Sequence, residues 1–165
     1  MPVALQNIFR FLILVLLQVL VLNNIQFLGF INPYIYILFI LSLPVKMPRW
    51  AALLLAFVLG LTIDIFANTP GMHAFASVMV AFSRNAVINL FISIDEGNNP
   101  TPSFYTFSVG TYVKYVVVMV FIHHFTLFFL EAFSFTHFWL MLAKIILSSA
   151  VTVLLILGIQ SLNKK

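Results

Sequence analysis

Cysteine is absent from this chain, which excludes disulfide staples, thiol catalysis and thiolate metal sites. Charge is nearly as scarce. Eight Lys+Arg and four Asp+Glu make up 7% of the 165 residues, against about 25% in a soluble domain. So few charges cannot coat a globule of this size with water-seeking groups. The cations are scattered, and no basic cluster or aromatic–basic stripe marks a nucleic-acid surface. No phosphate-cradling glycine loop occurs. Ser83, Ser148 and Ser149 lie outside any Gly-x-Ser-x-Gly context, and no carboxylate pair sits at useful spacing. The expectation is a protein that is not an enzyme and carries no cofactor.

What the chain does contain is apolar surface. Hydrophobic residues make up 63% of it, including 19 Phe, and the mean hydropathy is +1.14. That surface has to face lipid, and residues 1–165 fit one integral membrane domain with no room for a separate soluble one. Six apolar stretches predict an all-α polytopic protein of six transmembrane helices, over residues 8–22, 33–45, 50–67, 72–94, 113–133 and 138–162. The first, around Arg10, offers no small-residue cleavage site at Leu22-Asn23-Asn24-Ile25 and reads as a retained signal anchor. The second is shorter than the roughly 20 residues a span needs. Charge placement argues for keeping it. With six crossings and a cytoplasmic N-terminus, Arg10, Lys46, Arg49, Arg84, Lys114, Lys164 and Lys165 fall at or near the cytoplasmic side and only Lys144 on the other. The short crossing then needs neighbouring protein, or a thinned bilayer, to make up the missing length. Asn68-Thr69-Pro70-Gly71 predicts a tight turn between the third and fourth helices. Residues 95–102 form the sustained polar run, on the cytoplasmic side.

On the third helix Ala52, Ala56, Gly60 and Asp64 follow at i+4 and share one face. Small residues at that spacing let another helix approach closely, so the stripe predicts helix packing and, as a second use, partner binding. Ionisable groups inside a membrane cost roughly 2.5–3.5 kcal/mol at its centre. Lys144 is therefore expected to pair with Asp64 or Glu131, at the same membrane level, or else to snorkel to the interface. His73, His123, His124 and His137 map to the same outer half, but without His-x₃-His or His-Glu-x-x-His spacing. Interfacial or buried hydrogen-bonded histidines are expected there, and no metal.

Gly60-Leu61-Thr62-Ile63-Asp64, followed by Pro70-Gly71-Met72-His73-Ala74, resembles the rod-shape-determining MreD family. That family shows Gly-x-x-x-Asp at the end of one span, a short turn, then Gly-x-x-Ala opening the next, which places Gly71 and Ala74 in its motif. Asn32-Pro33-Tyr34 and Leu17-Gln18-Val19-Leu20 look like the versions from the Bacteroidetes. The resemblance implies a non-enzymatic role in the cell-wall elongation complex of the bacterial inner membrane. Its implied partners are an MreC-like bitopic protein, a RodA-type glycosyltransferase with its transpeptidase, and the MreB cytoskeleton. It also implies a fold similar to the substrate-binding subunits of energy-coupling-factor transporters, which supplies the alternative of vitamin uptake. Those subunits commonly carry Ala-x-x-x-Ala on the first span, whereas this first span has no alanine after Ala4. Handling of a lipid-linked precursor at the outer histidines is a third class.

The six-span topology has a direct check, because the chain lacks native cysteine. Asn68→Cys should react with an impermeant maleimide on intact spheroplasts, whereas Asn98→Cys and Ser161→Cys should react only after permeabilisation. Labelling of Ser161→Cys from outside would refute it.

Overall fold

The computed structural model describes residues 3–25, 29–92, 99–132 and 138–162, and all regular structure in them is helical. Helix α1 (Val3–Leu20) is extended by a 3-10 turn at Leu22–Asn24. A second 3-10 turn, Ile35–Ile37, leads directly into the one-turn helix α2 (Leu38–Leu41). Then come α3 (Arg49–Ala67), α4 (Met72–Phe91), the one-turn α5 (Phe104–Phe107), α6 (Val109–Glu131) and α7 (Phe138–Leu162). Five helices are long and apolar enough to cross a membrane: α1 with its turn, α3, α4, α6 and α7. Each has about 20 residues or more, which at 1.5 Å per residue spans about 30 Å. The expected helix starting at residue 113 begins earlier, at Val109, behind a Ser103/Thr106 capping box that opens α5. Residues 93–98, His137, Lys164 and Lys165 lie outside the described residues.

The direction of each helix follows from what meets at its ends. Val19 and Asn24 at the end of α1 wall the same cavity as Phe66 and Ala67 at the end of α3. Phe11 and Leu12 in the first half of α1 lie beside Leu55 in the first half of α3. The two helices therefore run the same way, and the chain between them returns the full length of the bundle. Helix α4 runs back along α3, with the Arg49 guanidinium 5.4 Å above the Phe82 ring. Helix α6 again ends near the α3–α4 turn, where Glu131 joins the cavity wall, and α7 starts there, with Lys144 beside Glu131. The long helices α3, α4, α6 and α7 thus alternate in direction, and α1 runs parallel to α3. The stretch expected as a span at 33–45 holds only the short pass of the 3-10 turn Ile35–Ile37 and the one-turn α2, and is not among the five helices of membrane-spanning length.

That short pass is the core. Residues 35–41 are buried without exception, and Tyr36, Ile37, Ile40 and Leu41 are wholly inaccessible. A segment apolar all round has no face for solvent, but it is too short to satisfy its own backbone, since a helix leaves about four N–H and four C=O groups unpaired at its ends. The surrounding helices supply the partners. At its start, the Ile35 N–H donates to Gln18 Oε1 at 2.9 Å, and Gln18 Nε2 donates to the Pro33 carbonyl at 3.1 Å. The Asn32 and Tyr34 N–H groups donate to Ser148 Oγ and Thr152 Oγ1 of α7. At its end, three consecutive carbonyls are taken: Leu41 by the Tyr115 hydroxyl at 3.2 Å, Ser42 by Arg10 at 3.1 Å, and Leu43 by the buried Arg84 guanidinium. Arg84, which the sequence placed only by its side of the membrane, is 1% exposed. Beyond it the Val45 N–H donates to the Pro100 carbonyl and the Lys46 N–H to Asn99 Oδ1.

Gln18→Leu keeps the apolar volume but strips partners from the Ile35 N–H and the Pro33 carbonyl. At about 1–3 kcal/mol for each stranded buried group, it should markedly lower the melting temperature in detergent. The exposed Leu16→Ile should leave that temperature unchanged; equal melting of the two variants would refute the role of Gln18.

Candidate functional site

The small-residue stripe of α3 is turned inward against α4. Ala52, Ala56, Gly60 and Asp64 are all buried. At Gly60 the fit leaves no room for a side chain: a Cβ there would lie 2.4 Å from the His73 carbonyl oxygen and 2.5 Å from the Ala74 Cα. Between the helices Asn68 (φ +56°) and Gly71 (φ +83°) take left-handed backbone conformations that reverse the chain within a few residues. Gly71 occupies the N-cap of α4 and has no side chain to cap it. Asp64 does so from the preceding helix. Its Oδ1 accepts the His73 N–H and the Thr69 hydroxyl, its Oδ2 accepts the Ala74 N–H, and all three bonds are 2.9 Å. Gly60, Asp64, Gly71 and Ala74, separate marks in the sequence, thus form one joint.

This geometry corrects one expectation and decides another between its two alternatives. The stripe is covered by α4 of its own chain, so it is not a face for another protein. Of the two carboxylates offered to Lys144, Asp64 is engaged elsewhere. The free amides at the start of α4, with the positive end of its dipole, lie directly in front of the carboxylate and hold it there. Lys144 Nζ lies instead 3.6 Å from Glu131, with the two side chains 28% and 48% exposed. A pair so accessible contributes about 0–1 kcal/mol.

Three of the four histidines enter the core beside Tyr34 and Tyr36; His137 lies outside the described residues. The Tyr36 hydroxyl bridges His73 Nδ1 at 2.8 Å and His123 Nε2 at 2.6 Å, donating to one ring and accepting N–H from the other. His124 Nδ1 donates to the Val120 carbonyl, so its Nε2 accepts from Thr152, whose oxygen in turn accepts the Tyr34 N–H. The neighbours on α6 thus serve different contacts: His123 reaches the central segment and α4, His124 reaches α7. Among the described residues, no group of three His, Asp or Glu is placed to hold a metal ion.

Above this cluster, at the end that carries the α3–α4 turn, a half-open cavity of about 400 Å³ lies between α1, α3, α4 and α6. Asn23, Asn24, Asn32, Tyr34, His73 and Glu131 supply most of its polar wall. No known protein family, characterised protein or solved structure matches the chain. The cavity and the buried joint are therefore read from their own chemistry.

Sequence reasoning passed over the side chains that hold the central segment: Gln18, Arg84, Tyr115, Ser148 and Thr152. A signal for them was present. Polar residues inside apolar helices are expensive unless partnered, and a pass too short for a full helix is where unpaired backbone groups collect.

Because Asp64 and Lys144 do not meet, their effects should add. Asp64→Ala should cost about 2–4 kcal/mol through the lost helix cap and charge-assisted bonds, and Lys144→Ala less than about 1 kcal/mol. In a double-mutant cycle read by detergent unfolding, a coupling well above about 0.5 kcal/mol would place the two groups in contact after all.

Proposed function

We propose that this chain is a non-enzymatic component of the bacterial cell-wall elongation machinery, of the MreD type. It acts by holding an MreC-like bitopic partner and supporting localised peptidoglycan synthesis. The proposal includes six crossings of the inner membrane, both termini in the cytoplasm, and a fold similar to the substrate-binding subunits of energy-coupling-factor transporters. The observation that carries it is the joint of α3 and α4. The residues in which the sequence resembles that family, Gly60, Asp64, Gly71 and Ala74, come together in one structural unit. Gly60 has no room for a side chain, Gly71 takes a left-handed conformation, Asp64 caps α4, and Ala74 gives its backbone N–H to Asp64.

The distribution of cations supports the orientation. Arg10 and Arg84 bind carbonyls at the end of the central segment opposite the α3–α4 turn, and Arg49 begins α3 at that same end. Lys144 stands at the turn end. Positive residues resist translocation, so the cation-rich end is the cytoplasmic one. With the α3 stripe covered, docking of a partner helix falls to outward faces. On α1, Ile8, Leu12, Leu16 and Leu20 point away from the bundle at i+4 spacing. In a bilayer such a face is equally suited to lipid or to a partner helix that packs well against it.

Depletion of the protein from a rod-shaped host should round or swell the cells by delocalising wall synthesis, and an MreC-like protein should co-purify with it from native membrane. Normal shape after depletion, together with a tightly held vitamin and a recruited ATPase module, would overturn this reading in favour of vitamin uptake.

A further inference from the structure

The cavity at the turn end has both donors and acceptors in its wall: Asn23 Oδ1 accepts from Gln18 Nε2 and its amide nitrogen is kept as a donor, whereas two other asparagines keep oxygens. Asn32 Oδ1 is buried there and has no partner. The Asn24 side-chain nitrogen donates to the Val19 and Leu20 carbonyls, which leaves its oxygen as the group still to be satisfied. Glu131 adds a carboxylate, and no Lys or Arg belongs to the wall. Lys144, the nearest cation, lies behind Glu131 on α7, none of whose residues lines the cavity.

The helix ends reinforce this bias. Three helices present their C-terminal ends to the cavity: α1 through Asn23 and Asn24, α3 through Phe66 and Ala67, and α6 through Glu131. Each such end carries roughly half a negative charge. The single N-terminus in the wall, that of α4 at Met72 and His73, is already neutralised by Asp64. These carbonyl ends and the Glu131 carboxylate, which shares Lys144 at 3.6 Å, favour a cation over an anion. An anion would meet no compensating cation, and a neutral polyol would gain nothing from these charges. A positively charged donor gains from both the carbonyl ends and the acceptors, and the aromatic residues Tyr34 and Phe66 belong to the wall. The volume of about 400 Å³ is that of a small-ligand site.

We infer that this cavity binds an organic ammonium group, carried either by a free small molecule or by the headgroup of a membrane lipid. The inference goes beyond the proposed role in wall elongation and does not depend on it.

Choline and ethanolamine are the probes, with sodium acetate and glucose as controls at constant ionic strength. Binding to the full chain in detergent is followed by calorimetric titration and by the melting temperature. Saturable binding of choline or ethanolamine, with no comparable response to acetate or glucose, is expected. Glu131→Gln should weaken it by about tenfold, the effect of one partly screened charge, whereas Lys144→Gln should strengthen it. Both variants break the same ion pair, so a merely structural effect would move them in the same direction. Opposite shifts support a site that reads charge. The two sources are separated in nanodiscs. A higher melting temperature in phosphatidylethanolamine–phosphatidylglycerol discs than in phosphatidylglycerol discs, lost in Glu131→Gln, assigns the lipid headgroup. A response to the soluble amines with no such lipid dependence assigns a free ligand. The inference is overturned if neither amine binds and the lipid has no effect, if acetate binds as well as choline, or if both variants weaken binding alike. It is also overturned if a lysine-bearing protein occupies the cavity and the amines do not compete.

Discussion

The arrangement depends on the unpaired backbone groups of one short pass through the middle of the bundle. A long helix satisfies most of its own amides and carbonyls, but residues 31–45 include only two helical turns. In an apolar interior each stranded group costs a few kcal/mol, and irregular backbone is tolerated only where protein surrounds it. Four of the five long helices meet that demand with side chains: α1 with Gln18 and Arg10, α4 with Arg84, α6 with Tyr115, and α7 with Ser148 and Thr152. These contacts also set rotation and register, because a helix turned by one residue would withdraw its donor or acceptor. Hydrophobic burial alone has no such directionality, particularly where lipid competes equally for apolar faces.

The remaining long helix, α3, is positioned by a different device. It is tied to α4 through close backbone approach at Gly60 and through Asp64 at the start of α4. With a carboxylate on its first amides, α4 begins at a defined residue, which carries His73 into contact with Tyr36. The same bond removes the one positive helix end from the cavity wall. Packing, helix capping and the electrostatic character of the cavity are thus consequences of one side chain. Guanidinium groups hold carbonyls at one end of the bundle, and three asparagines with Glu131 line the cavity at the other.

Much of this was legible in the sequence where the pattern is periodic or additive. Apolar run lengths located the five long helices, and i+4 spacing placed Ala52, Ala56, Gly60 and Asp64 on one face that proved to be buried. Pro70-Gly71 marked the reversal of the chain. Less was legible about which polar group meets which. Lys144 had Asp64 and Glu131 as alternatives at one level, and the sequence could not rank them, because the competing partners of Asp64 are backbone amides that carry no signature of their own. Arg84 counted in the sequence only as a cation of the cytoplasmic side, because the carbonyl it reaches, Leu43, lies 41 positions away.

Composition and run length, which sum over many residues, are enough to dictate an all-helical chain with helices of membrane-spanning length, and the spacing of small residues is enough to dictate which side of α3 packs. They do not dictate what α3 packs against. That the partner is α4 of the same chain, that Asp64 serves as a helix cap, that three histidines join the core and that four helices converge on residues 31–45 were decided by the folded arrangement. The physical reason is directionality. Burial is a property of each residue added along the chain, whereas a hydrogen bond exists only when donor and acceptor, often far apart in sequence, arrive at about 3 Å with the right orientation.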